Sequence, residues 1–355
     1  MNLERFINPY FLGKMGMIID ISMMNEIDSH KMYQVYDQWP IIAKESYEEN
    51  LNQVKFGKAE HMVFVGMGGS GAIGDIFSSI LSKTNIHVEV VKGYLLPKTV
   101  DSNSIVIITS ISGNTEETIS VLNSAIDIGC NVIVFSDGGK IEEICEKENV
   151  EFRKIPMIHS PRASFTKFLF SMLKVLEPII PIEKKDILES IKKLENLRMQ
   201  IFSGNLNQNN PSLALANWIS NIPLIYYPWG LQSSAIRFKN SLQENSKCHA
   251  ISEDVIETCH NGIVAWERSS NLQPILLQGE DDYIKTKERW RILKKFFQER
   301  KINYFEIYSG SGSILSKIIY LIYLLDYASI YKAIISNIDP TPVESIDFIK
   351  KNLSS

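Results

Sequence analysis

The sequence predicts an α/β protein made of two doubly wound parallel-sheet domains related by a pseudo-repeat. Three observations lead there. Short β-branched runs alternate with segments of helical period between residues 56 and 180, the pattern of a parallel sheet with helices on both faces. The same order returns in eroded form after residue 206, and a polar, Asn-rich stretch at 203–211 lies between the halves. With 355 residues, 45% hydrophobic and 22% charged, the chain is long enough for two domains that each bury a core.

The elements follow in order. Residues 1–55 read as a helical and irregular lead-in punctuated by Trp39-Pro40. The first domain, 56–180, carries strands over 62–65, 87–91, 105–109, 131–136 and 152–155, with helices over 76–82, 116–129, 141–147 and 164–176. Residues 181–205 form a lysine-rich connecting helix and linker. The second domain, 206–355, has strands over 222–227, 275–277 and 304–308, with helices over 232–244, 280–301 and 314–336. Its greasiest run, 318–325, is bounded by Lys317 and Asp326 and reads as a buried helix, far short of the roughly 20 residues that span a bilayer.

Composition narrows the function. A net charge of −4 from 37 basic and 41 acidic residues gives no broad cationic field for nucleic acid or an anionic membrane, so any anionic ligand must be met by local groups. Cys130, Cys145, Cys248 and Cys259 have no C-x-x-C spacing, which points to reduced thiols and a cytoplasmic location. Glu4 and Arg5 stand where a leader needs a basic and then an apolar run, so no secretory signal is expected.

The local groups are found in two turns. In Ile105-Val-Ile-Ile-Thr-Ser-Ile-Ser-Gly-Asn-Thr-Glu-Glu-Thr118 a buried strand runs into Ser110, Ser112, Gly113, Asn114 and Thr115, and then into the acidic first turn of a helix. Glycine permits the sharp turn, helix N–H groups face it, and three hydroxyls are available to a tetrahedral anion. There is no P-loop lysine, so this is not an ATP loop. Forty residues earlier, Gly66-Met-Gly68-Gly69-Ser70-Gly71 follows another strand. Taken alone it satisfies a dinucleotide fingerprint, but a nicotinamide cofactor does not require the hydroxyl cluster at 110–115. A small phosphorylated ligand held between neighbouring loops accounts for both. The equivalent second-half loop, Pro228 to Ser234, lacks the glycine cluster, which leaves one phosphate seat per chain.

Gly68-Gly69-Ser70-Gly71, Ser110-x-Ser112-Gly113-Asn114-Thr115-Glu116-Glu117-Thr118, Pro161-Arg162-Ala163, Glu244-Asn245 with Lys247, His260-Asn261 and Asp339-Pro340-Thr341-Pro342-Val343 occur in this order. In these motifs the chain resembles the bifunctional phosphoglucose/phosphomannose isomerases, built from two domains of the sugar isomerase (SIS) type, over nearly its whole length. The resemblance implies phosphate contacts from Ser110, Ser112 and Thr115, and a sugar lined by Gly68, Gly69 and Ser70. It also implies Arg162 beside the reacting carbons, Glu244 as base, and His260 with Lys350 at the ring oxygen and hydroxyls; Lys351 is the neighbouring alternative to Lys350. Two positions depart from the family pattern: Gly262 stands where an acidic residue is expected, and Ser246 replaces a small apolar one.

Aldose–ketose isomerisation moves a proton between C1 and C2 through a cis-enediol, so it needs one carboxylate near both carbons and a cation for the developing oxyanion. Glu244 and Arg162 supply these types, His260 titrates near neutrality for ring opening, and Lys350 offers a point charge. Thr341, small and flanked by two prolines, is expected to leave room at C2, where glucose and mannose differ. No cofactor is required. His30, His61, His87, His159 and His249 show no metal-ligand spacing along the chain, and no metal is expected in the reaction. The partner is a hexose 6-phosphate, and a homodimer that borrows His260 across a two-fold axis is expected. The alternative is a sugar-phosphate-sensing regulator. It would keep the phosphate loops without Glu244, His260 and Lys350, and no DNA-binding head is evident in 1–55. An amidotransferring synthase would need an N-terminal cysteine, and position 2 is Asn.

Overall fold

Runs such as Ile105–Ser110, apolar with no polar alternation, form strands covered on both faces, and every residue of that strand is buried. The structure is a computed structural model that describes residues 19–58 and 60–353. Positions 2, 4 and 5, on which the expectations about a leader and an amidotransferase cysteine rest, lie outside the described residues. The first sheet contains β1 (His61–Val65), β2 (His87–Val91), β3 (Ile105–Ser110), β4 (Asn131–Ser136) and β5 (Glu151–Lys154), in the order β2-β1-β3-β4-β5. The second contains β6 (Ile222–Tyr227), β7 (Ile251–Asp254), β8 (Leu272–Gln278) and β9 (Phe305–Tyr308), in the order β7-β6-β8-β9. All pairings are parallel. The second order repeats the first four strands of the first, with β6 in the place of β1. In both sheets the chain winds one way from the first strand and then back the other. The crevice between the C-terminal ends of β1 and β3 is therefore a topological switch point, where ligands of such sheets bind.

The lead-in is three helices, α1 (Ile21–Ile27), α2 (Met32–Asp37) and α3 (Trp39–Glu48). Trp39-Pro40 does not interrupt them but opens α3, with Pro40 in the first turn, where the missing N–H has no helical acceptor in any case. The first sheet is flanked by α4 (Gly68–Leu81), α5 (Glu116–Ile128), α6 (Lys140–Glu148) and α7 (Phe165–Leu176), and α8 (Lys184–Ile201) leads on. Helix α4 begins eight residues before the expected start because the glycine-rich turn is itself helical. A Cβ on Gly71 would lie 2.7 Å from Gly66 O, and one on Gly74 would lie 3.0 Å from Val90 Cγ1, so these glycines let the helix turn tightly off β1 and pack against the sheet. Asp75 sits inside α4 and pairs with Lys92 at 2.5 Å.

The Asn-rich stretch is ordered at its end. Asn210 is fully buried and caps α9 (Pro211–Trp218) by accepting from Leu213 N–H. Helices α10 (Gln232–Asn245), α11 (Val255–Thr258), α12 (Ile284–Glu299), α13 (Ile314–Ile335) and α14 (Glu344–Leu353) complete the chain. Helix α13 is 22 residues of a length and composition that could cross a membrane, yet it is largely buried inside the protein. It packs against α8, α9 and α10, in a core that joins the inner faces of both sheets.

Candidate active site

The hydroxyl-rich turn leaves β3 at the switch point and is braced from β4. Gly113 has φ +70°, and a Cβ there would lie 1.6 Å from Gly138 O, so only glycine allows the two backbones to meet. Ile141 N–H donates to Gly113 O at 3.0 Å, Asp137 N–H to Ile111 O at 3.2 Å, and Lys140 N–H to Asn114 Oδ1 at 3.1 Å. Three hydroxyls remain at the turn. Ser110 Oγ is buried without a hydrogen-bond partner, Ser112 is exposed at the turn, and Thr115 is the N-cap of α5 yet makes no side-chain cap bond. A buried unpaired hydroxyl costs stability, and an oxygen acceptor placed against it recovers that cost.

Helix α4 links this turn to the second group. A Cβ on Gly69 would lie 3.5 Å from Arg162 Cα, so the first turn of α4, with Gly68 and the buried Ser70, runs against the Pro161-Arg162 backbone. The Arg162 side chain is buried and held on three sides. Its Nε donates to Asn245 Oδ1 at 2.7 Å, and its Nη2 donates to Pro340 O at 2.6 Å and Thr341 O at 2.9 Å. Its Nη1 faces Glu244 Oε2 at 3.5 Å, and the Glu244 side chain is 26% exposed. Thr341 Oγ1 is buried and unpartnered beside them. The structure thus brings together Gly69, Arg162, Glu244 and Thr341 from opposite halves of the chain.

The network behind these contacts was not legible in the motifs. Arg237, Ser241 and Asn245 recur every four residues on one face of α10, and Glu244 flanks that face. Arg237 pairs with the fully buried Asp326 at 2.6 Å, donates to Arg162 O at 3.0 Å and lies 3.8 Å above the Phe165 ring. Asp326 also accepts from Ser241 at 2.8 Å and from Tyr36 at 3.3 Å. Burial, with the Asp326 charge second, pushes the Tyr36 phenol far above its ordinary pKa, so it remains a donor. Asn245 is fixed in turn by donating to Ser329 at 2.8 Å. Removing one partner from a buried pair of this kind costs roughly 3–5 kcal/mol, which makes the network a rigid mount for Arg162. The remaining brace is Lys247, whose Nζ donates to Glu244 O at 2.7 Å and Pro342 O at 2.8 Å. Burial lowers its pKa, and the Arg162 charge acts in the same direction.

Two expected residues do not join this cluster within the chain. His260 lies exposed between α11 and the following 3₁₀ turn at Gly262–Glu267, without a hydrogen bond or ion pair to Arg162 or Glu244. Lys350 is on α14, a helix with no buried residue. On that helix Ile346, Phe348, Ile349 and Leu353 are between 41% and 66% exposed.

Comparison with known proteins adds the family. Residues 55–177 match the SIS domain, and residues 208–353 match the family described as the bacterial phospho-glucose isomerase C-terminal SIS domain. A protein of Caldicellulosiruptor bescii named bifunctional phosphoglucose/phosphomannose isomerase is 32% identical over 336 residues, covering 91% of this chain and 99% of that protein. The chain belongs to this family. A second member, from Aquifex aeolicus, is 33% identical and covers 82% of this chain and 90% of its own length. The C-terminal domain of glucosamine-fructose-6-phosphate aminotransferase from Francisella tularensis superposes with a TM-score of 0.66 at 16% identity, over 86% of this chain and 96% of that one. That likeness is one of fold, and it bears out the expected pair of SIS-type α/β domains.

Proposed function

We propose that the protein interconverts fructose 6-phosphate with both glucose 6-phosphate and mannose 6-phosphate through a cis-enediol, without a metal in the reaction. The observation that carries this reading is the buried Arg162 guanidinium with Glu244 at 3.5 Å, reached over the first turn of α4 from the phosphate turn. Glu244 removes the proton from C2 of the aldose and returns it to C1. Arg162 stabilises the oxygen that becomes negative in between. C1 is reduced as C2 is oxidised within one molecule, so no external oxidant or reductant enters. A sensor would need the phosphate turn but no such acid–cation pair.

Ser110, Ser112 and Thr115 hold the phosphate in this scheme, with Gly68, Gly69 and Ser70 along the sugar. His260 opens the ring from a partner chain, Lys350 assists at O1, and Thr341 leaves space for either configuration at C2. The exposed position of His260 and the uncovered apolar residues of α14 support a homodimer with composite sites. Four free thiols support a cytoplasmic setting. The test is a coupled assay of chelator-treated protein with fructose 6-phosphate, scoring both aldose products. Formation of both is expected. Loss of activity restored only by a divalent ion would overturn the metal-free scheme, and formation of neither aldose would overturn the assignment itself.

A further inference from the structure

At the opposite end of the first sheet, three side chains from adjacent strands converge. His61 opens β1, His87 opens β2, and the two are directly paired in register. Glu89 is two residues along β2, on the same face as His87. Their ligand atoms all lie within 4.8 Å of one another. His87 Nε2 is 3.1 Å and His61 Nε2 3.8 Å from Glu89 Oε1. Contributed across a strand pair, this grouping has no spacing that the linear sequence displays.

The hydrogen bonds around His61 decide which nitrogen faces the cluster. Ser104 Oγ gives its only proton to Asp101 Oδ1 at 3.2 Å and accepts from Asp101 N–H at 3.0 Å. With that proton on the Asp101 carboxylate, a stronger acceptor than a ring nitrogen, the contact with His61 Nδ1 at 3.1 Å is a bond donated by the ring. In the neutral imidazole Nε2 therefore carries a lone pair. That atom is buried and has no hydrogen-bond partner, and the 3.8 Å to Glu89 is too long for a hydrogen bond. A buried lone pair facing a carboxylate oxygen is unfavourable unless a cation lies between them. The Nδ1–H bond to a serine is the kind of outer contact that fixes a metal-ligating histidine. Glu89 has a similar support, since its Oε1 accepts from Thr99 Oγ1 at 3.0 Å.

We propose that His61, His87 and Glu89 bind a first-row divalent transition ion of the zinc class, with water completing a tetrahedral shell. Two imidazoles and one carboxylate are a donor set that Zn²⁺ accepts, with ligand bonds of about 2.0–2.2 Å. The ligand atoms lie within 4.8 Å of one another and close to roughly 3.3–3.5 Å when they share one ion. β2 is the edge strand of its sheet and the His87 side chain is 64% exposed, which gives the ion an entry path. Binding through Nε2 breaks the His87–Glu89 hydrogen bond, and the neutral imidazole then carries its one proton on Nδ1. The strand lengths put the ion about 13 Å from the glycine turn, at about 3.3 Å per residue, so it clips β1 to β2 and takes no part in turnover.

The test is titration of Zn²⁺ into chelator-stripped full-length protein by calorimetry, with Co²⁺ absorption as a second reading. One ion per chain with micromolar or tighter affinity is expected, together with a rise in Tm and a tetrahedral Co²⁺ band in the visible. His87→Gln and His61→Gln should each weaken binding at least tenfold, and neither should change sugar-phosphate turnover. The exposed His87 variant decides the matter if His61→Gln fails to fold. No saturable binding, or binding unchanged in His87→Gln, would overturn the proposal.

Discussion

Gly113→Ala is the substitution for which the structure gives the largest calculable effect on the phosphate turn. At φ +70° an alanine costs roughly 1–2 kcal/mol in the left-handed region. Its Cβ would also stand 1.6 Å from Gly138 O, where real contacts do not fall below 3.0 Å. The 110–115 and 136–141 turns must then part, loosening the Ile141-to-Gly113 and Asp137-to-Ile111 hydrogen bonds, each worth about 1 kcal/mol. The total is about 3 kcal/mol, shared between stability and the ordering of the site, with an upper bound of roughly a hundredfold in phosphate affinity. The assay is KM for fructose 6-phosphate and inhibition by inorganic phosphate, with Tm measured in parallel. Gly129→Ala is the control, because Gly129 has φ +81° but nothing within 4 Å of an added Cβ, and it should lose only the backbone term and keep its KM. Equal phosphate affinity in the two variants would refute the bracing argument.

Three further outcomes are expected. Ser110→Ala removes a buried hydroxyl with no partner, so Tm should hold or rise while KM increases about tenfold; a fall in Tm with unchanged KM would show that the hydroxyl serves the fold. Thr341→Gln fills the space beside Arg162 and should depress mannose 6-phosphate turnover more than glucose 6-phosphate turnover, whereas equal loss would remove Thr341 from control of C2. Mixing inactive Glu244→Gln chains with inactive His260→Ala chains should restore up to half of the activity in hybrid dimers. No recovery, with subunit exchange confirmed by mass, would place His260 in its own chain's site.

The parallel sheets were legible because strands such as Ile105–Ser110 are buried on both faces and read as unbroken apolar runs. β7 escaped notice because Ile251-Ser-Glu-Asp254, an edge strand, has no such run. Helix α9 was hidden because its cap, Asn210, belongs to a polar stretch that reads as linker, although the tertiary fold buries that side chain completely. In the candidate site, Arg162, Glu244 and Thr341 were found through local motifs. Arg237 and Asp326 were not, since 89 residues separate the partners of that pair and only packing of α10 on α13 joins them. The His61, His87 and Glu89 cluster was silent for the same reason: register between strands is a property of the sheet.

If Glu244 carries the proton between C1 and C2, solvent deuterium enters the product at C2 through that carboxylate. Chelator-treated enzyme and its Glu244→Gln variant are incubated with fructose 6-phosphate in heavy water, and deuterium at C2 of the aldose products is followed by NMR. The wild-type chain should label both glucose 6-phosphate and mannose 6-phosphate. The variant should lose the exchange by about a hundredfold or more, while its sugar-phosphate affinity stays within a few fold. Exchange at near-normal rates in Glu244→Gln would mean that another base moves the proton.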